Sequence, residues 1–186
     1  MSSNRPPESS RPPSGGKMPE DARSVANFFL ELAWTRDGQL THLPLQKILF
    51  FAHAWHLGKY NEPLLGQKFE AWKYGPVVRV VYDQLKGVGK APISRKLEKL
   101  DVSTGVMREA VANLTKDKKR FLTDIFAYYY GFHPSDLVEL THERGGPWQK
   151  VWEKAERDVV PGMLIPDESI RLWVLRLGGS EEKAPN

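Results

Sequence analysis

Apolar residues recur through the middle of this chain with a helical period. Val25, Phe28, Phe29, Leu32 and Ala33 fall at i, i+3, i+4, i+7 and i+8, one face of an amphipathic helix that Asp37-Gly38 would end. Pro44 suits the first position of a second helix, where its missing N–H would go unpaired anyway. From Pro44 to about Gly58 the segment is apolar nearly all round, with Leu45, Ile48, Leu49, Phe50, Phe51 and Trp55 spread over every face. Such a helix belongs at the centre of a fold, and this one is the expected core helix. Gly75-Pro76 repeats the start signal, and Val77, Val81, Leu85 and Val88 predict a third helix from Pro76. The aromatic-rich segment before it, Phe69 to Tyr74, favours an extended backbone. Residues 91–113 are weakly patterned and carry no firm element.

Beyond them, Thr115 predicts the cap of a helix reaching Tyr130, with Phe121, Leu122, Ile125, Phe126 and Tyr129 inward and Gly131 as terminator. Pro134 opens a short helix to about Leu140, and Pro147 opens another with Trp148, Val151, Trp152 and Ala155 on one face. Asp167 would cap a last helix containing Ile170, Trp173, Val174 and Leu177. The expected fold class is therefore mainly α, a compact single helical domain with at most a small β element.

Composition narrows the picture. At 186 residues the chain suits one full-cored domain. Residues 1–20, rich in Pro, Ser and Gly, have almost no large apolar group to offset ordering, so they read as a disordered tail. Residues 178–186 read the same way, leaving residues 21–177 as the domain. No DNA-binding module would fit in the first tail. The balance of 27 basic and 23 acidic residues is far from that of a dedicated nucleic-acid binder. With no cysteine, disulfides, thiolate catalysis and Cys-ligated zinc are excluded. Neither a signal peptide nor a run of roughly 18 apolar residues appears, which points to the cytoplasm and away from a membrane.

The search for chemistry returns little. Gly-x-Ser-x-Gly, a phosphate-cradling glycine loop and His-Glu-x-x-His are all missing, so no catalytic residue is assigned and no cofactor is expected. His53 and His56 share a helix face and could chelate a metal with His142 or Glu143 as a third ligand; equally, they flank Trp55 as satisfied core residues. Lys116, Lys118, Lys119 and Arg120 crowd a helix N-terminus, where the macrodipole disfavours cations; an acidic partner or a solvated face explains them. A looser basic stretch runs through Lys86, Lys90, Arg95, Lys96 and Lys99, without the interleaved aromatics that nucleic-acid binding wants. Trp72 and Tyr74 beside Gly75-Pro76 are a different case. Aromatics on a fixed turn make binding hot spots, or they pack the following helix onto the core. His142, after a helix and before the Gly145-Gly146 hinge, fits a protonated C-terminal cap.

Three blocks in order, Leu45-Gln46-Lys47-Ile48-Leu49-Phe50-Phe51-Ala52-His53, Glu70-Ala71-Trp72-Lys73-Tyr74-Gly75-Pro76-Val77, and Leu140-Thr141-His142 with Pro147-Trp148, resemble the SocA-like antitoxin family, or Panacea domain. The resemblance runs from about Val25 to about Trp173, and Pro134 is a mild departure from the pattern. It implies a mostly helical, non-enzymatic domain that neutralises a cognate, adjacently encoded toxin by direct binding. Neutralisation would proceed by masking the toxin or by handing the complex to a protease–chaperone. Candidate toxin-binding residues are then Trp72, Lys73, Tyr74, Gly75, Pro76, His142 and Trp148. Alternatives are a phage- or element-associated interaction protein of the same fold, and a metal-dependent enzyme built on His53, His56 and His142.

Overall fold

Residues 18–158 and 161–179 are described in the computed structural model; the expected tail up to residue 17, and residues 180–186 of the other tail, lie outside the described residues. The first apolar stripe forms α1 (Ala22–Trp34), capped by Asp21, whose carboxylate accepts from the Arg23 N–H. The all-round apolar segment forms α2 (His42–Tyr60), which starts two residues before Pro44 and ends at Asn61 in the left-handed conformation. Its buried residues run almost without interruption from Leu45 to Leu57, so α2 is the axis of the core. Helices α1, α4 (Lys116–Tyr129), α5 (Pro134–Thr141) and α7 (Asp167–Gly179) pack around it. Phe51 stacks on Tyr129 at 4.2 Å, and the Tyr129 hydroxyl accepts from Trp55 Nε1 at 2.8 Å. Each aromatic or aliphatic side chain so buried is worth about 1.5–3 kcal/mol, which makes this axis the main source of stability.

The chain after α2 departs from expectation. The helix predicted from Pro76 begins only at Arg79, as α3 (Arg79–Leu85), behind Val78. Gly75 to Val77 instead form β2, antiparallel to β1 (Phe69–Trp72), with Trp72 opposite Gly75. The extended backbone wins because α2 offers polar side chains to its carbonyls, as described below. A short strand near the end of the chain, β5 (Leu164–Ile165), pairs with the other edge of β1 and completes a sheet in the order β2-β1-β5.

Within the segment that carried no firm pattern lies a hairpin, β3 (Glu98–Asp101) and β4 (Val106–Glu109). Most of its side chains face solvent, so no apolar alternation marks it in sequence. The hairpin is moored by buried Asn27, which donates to the carbonyls of Leu97 and Ala110 and accepts from the Leu97 N–H at 2.7 Å.

Ordered contacts extend to both ends of the described region. Glu20, assigned to the tail, bridges Leu65 and accepts from Lys118 Nζ at 2.9 Å. At the other end α7 carries Gly178 and Gly179, beyond the boundary placed at residue 177. Thr115 does cap α4, accepting from the Lys118 N–H. Asp167 opens α7, and its carboxylate faces Lys68 and His53. The architecture is mainly helical with minor β content, and among the described residues no helix is long and apolar enough to cross a membrane.

Candidate functional site

Six of the seven residues singled out in the sequence meet at or beside one turn, the two-residue link Lys73-Tyr74 between β1 and β2; His142 reaches it through Trp148. Trp72, half-buried, is held from several directions. Its Nε1 donates to Glu70 Oε2 at 2.8 Å, and the Tyr82 ring meets it edge-on at 4.5 Å. The Arg79 guanidinium lies 5.4 Å from its ring centroid while donating to both Glu70 oxygens. Trp148, at the start of α6 (Pro147–Ala155), donates Nε1 to the Trp72 carbonyl at 2.8 Å. His142 does occupy the C-cap of α5, as its position suggested, but the protonated form needs correction: its ring stacks on Trp148 at 3.6 Å, and burial, with the Lys47 charge nearby, lowers its pKa. Its Nε2 is buried and makes no hydrogen bond among the described residues.

Gly75 and Pro76 are buried, so they shape the turn and do not present a surface. Gly75 sits at φ 94°, where a side chain is strained, and an added Cβ would come within 2.5 Å of Thr141 Oγ1 and 2.8 Å of Lys47 Nζ. Side chains of α5 and α2 therefore close on this glycine. What remains accessible is Lys73, whose Nζ lies 5.6 Å from the Tyr74 ring centroid, and Tyr74 itself, 60% exposed.

Sequence reasoning missed the two polar residues of α2 that hold this turn. Gln46 accepts from the Val78 N–H at 2.9 Å and donates back to the Val78 carbonyl at 3.4 Å, taking the place of a neighbouring strand. Lys47, 1% exposed, donates to the Pro76 carbonyl at 3.0 Å. Burial pushes the Lys47 ammonium down to about 7, and among the described residues no carboxylate pairs with it. The signal was available: a helix apolar on every side must bury whatever polar residues it contains. Beside these residues opens a cleft of about 360 Å³ walled by His42, Gln46, Lys47, Trp72, Tyr74 and Tyr82.

The other candidates dissolve into structure. His53 is fully buried, accepting from the Leu65 N–H through Nδ1 and facing Asp167 through Nε2. His56 Nδ1 meets the Glu62 carbonyl at 2.7 Å, and burial lowers its pKa to about 4. These two and His142 are not gathered, and among the described residues no group of three or more potential ligands could hold a metal. Part of each basic stretch is engaged as well: Lys118 pairs with Glu20, Lys96 lies between Glu31 and Glu109, and Lys86 pairs with Asp83.

Comparison with known proteins shows the family. The family described as "Antitoxin SocA-like, Panacea domain" matches residues 45–149, the span from α2 through the start of α6 that contains the whole turn. "Antitoxin SocA" of Caulobacter vibrioides (strain NA1000 / CB15N) is 32% identical over 151 residues, covering 81% of this chain and 80% of the relative. No solved structure matches.

Proposed function

Because the chain belongs to the SocA-like antitoxin family, the Panacea domain, we propose that it neutralises a cognate, adjacently encoded toxin in the cytoplasm by direct protein–protein binding. The observation that carries the site is the contrast within the turn: exposed Lys73 and Tyr74 stand on a base of buried Gly75, Pro76 and Trp148. An aromatic presented on so fixed a base has little freedom left to lose on binding, which is what a hot spot requires. In this reading Lys73, Tyr74 and the open edge of Trp72 touch the toxin. Gly75, Pro76, His142 and Trp148 position them. The reading involves no catalytic step and no cofactor. Masking the toxin and delivering it to a protease–chaperone both begin with this complex.

The test is co-expression with each small reading frame flanking the gene, scored for growth rescue and co-purification. Tyr74→Ala is expected to weaken the complex by about 2 kcal/mol while leaving the melting temperature unchanged. Full rescue by Tyr74→Ala together with Lys73→Ala would place the interface elsewhere. A toxin level that falls only when the protease is present would select delivery over masking.

A further inference from the structure

The cleft beside the turn has an uncommon floor. Lys47 is an ammonium-bearing side chain, 1% exposed, with a single carbonyl as hydrogen-bond partner among the described residues. Burying an ion without a counter-ion costs several kcal/mol, and a Met of similar length would fill the same space without that cost. The surroundings add positive character and no negative: among the described residues none that lines the cleft is acidic, and Lys73 stands at its rim. Glu70, the carboxylate on the neighbouring strand, is occupied by Arg79 and by Trp72 Nε1. The walls are aromatic, from His42, Trp72, Tyr74 and Tyr82. A space of about 360 Å³ admits a side chain with its adjoining backbone and excludes a folded domain.

We infer that this cleft is a socket for one carboxylate-bearing side chain, Asp or Glu, on the bound toxin, with Lys47 as its counter-ion. The inference rests on the antitoxin reading and gives that interface its chemistry. A single ammonium matches a single carboxylate, and the aromatic walls shield the pair from water. Tyr74, which walls the cleft and is also exposed, joins the socket to the outer contact surface.

The experiment uses the full chain and the toxin identified by co-purification. Lys47→Met loses the bond to the Pro76 carbonyl but also the cost of burying the ammonium, so it should melt within a few degrees (~5 °C) of the wild type, yet bind the toxin about thirtyfold more weakly or worse. Scanning the toxin's acidic residues to Asn or Gln should find one whose loss matches this deficit and adds nothing in the Lys47→Met background. Unchanged affinity in a folded Lys47→Met protein overturns the socket, and so does an affinity loss that no single toxin carboxylate reproduces. If Lys47→Met does not fold, Leu43→Trp decides: it narrows the cleft from the first turn of α2 without removing Lys47, and wild-type binding then overturns the inference. Dimerisation of the toxin-free wild type that Lys47→Met abolishes would assign the cleft to a second copy, which also overturns it. If the wild type binds no neighbouring product, the antitoxin reading falls and takes the socket with it; a wild-type complex indifferent to Lys47 sinks the socket alone.

Discussion

Replacing Gly75 by Ala tests whether the turn is as tightly enclosed as its geometry indicates. At φ 94° the Cβ of an L-residue crowds the preceding carbonyl, at a cost of about 1–3 kcal/mol. The new methyl would also sit 2.5 Å from Thr141 Oγ1 and 2.8 Å from Lys47 Nζ. Thr141 is short and buried, its hydroxyl donating to the Val138 carbonyl at 2.8 Å, so it cannot swing aside. Overpacking of this kind costs roughly 1–3 kcal/mol more. For a domain of this size the combined loss corresponds to a fall of about 10 °C in melting temperature. Thermal melts of Gly75→Ala, Thr141→Ala and the double variant separate the two contributions. Thr141→Ala alone should cost about 1 kcal/mol for its hydrogen bond. In the double variant the methyl finds room, so the losses should fall short of additive by about 1 kcal/mol. A drop below about 3 °C for Gly75→Ala, or strict additivity, would refute the argument that α5 closes on the glycine.

Two further outcomes follow from other buried polar groups. Lys47 has a folded-state pKa of about 7, below that of the unfolded chain, so between pH 7 and about pH 10 the unfolded state binds the extra proton. Stability should therefore rise with pH across that window, by at most roughly 5 kcal/mol, with the burial penalty in full below pH 7. Urea midpoints from pH 7 to 9.5 should climb for the wild type and much less for Lys47→Met; parallel profiles would contradict the assignment. Asn27→Ala should strip partners from the Leu97 N–H and from the Leu97 and Ala110 carbonyls, costing about 3 kcal/mol. Hydrogen exchange should then accelerate at the Leu97 amide and along β3–β4 with α2 still protected, and a uniform acceleration would show that Asn27 does not specifically moor the hairpin.

Those two residues also mark where the sequence was legible and where it was not. The helical stripes of α1, α4, α6 and α7 were readable because each has one apolar face, and the centrality of α2 was readable because it has no polar one. Thr115 signalled its cap by type and position alone. The β3–β4 hairpin was invisible, since solvent on both faces removes the alternation that marks a strand. Pro76 misled: its fixed φ suits both a helix start and a strand, and local sequence does not choose between them. The choice was made by Lys47 and Gln46, which meet the backbone of Pro76 and Val78 from 29 and 32 residues earlier in the chain.

The candidate site divides along the same line. Its membership was open to sequence, because Trp72, Tyr74, Gly75 and Trp148 stand in blocks whose residue types are distinctive. Their roles were not. Whether an aromatic anchors a core or faces a partner depends on what covers it, and covering is a property of distant segments brought together. Trp148 is covered and hydrogen-bonded to Trp72 across 76 residues, whereas Tyr74, two positions from Trp72, is left open. The order of apolar and polar residues determined most of the helices and the central one, and three blocks of distinctive residues carried the resemblance to the family. Only the tertiary structure decided that the lysine buried on that central helix would lie, among the described residues, without a counter-ion and beside an aromatic cleft, because its neighbours come from segments distant in sequence and no local pattern records them.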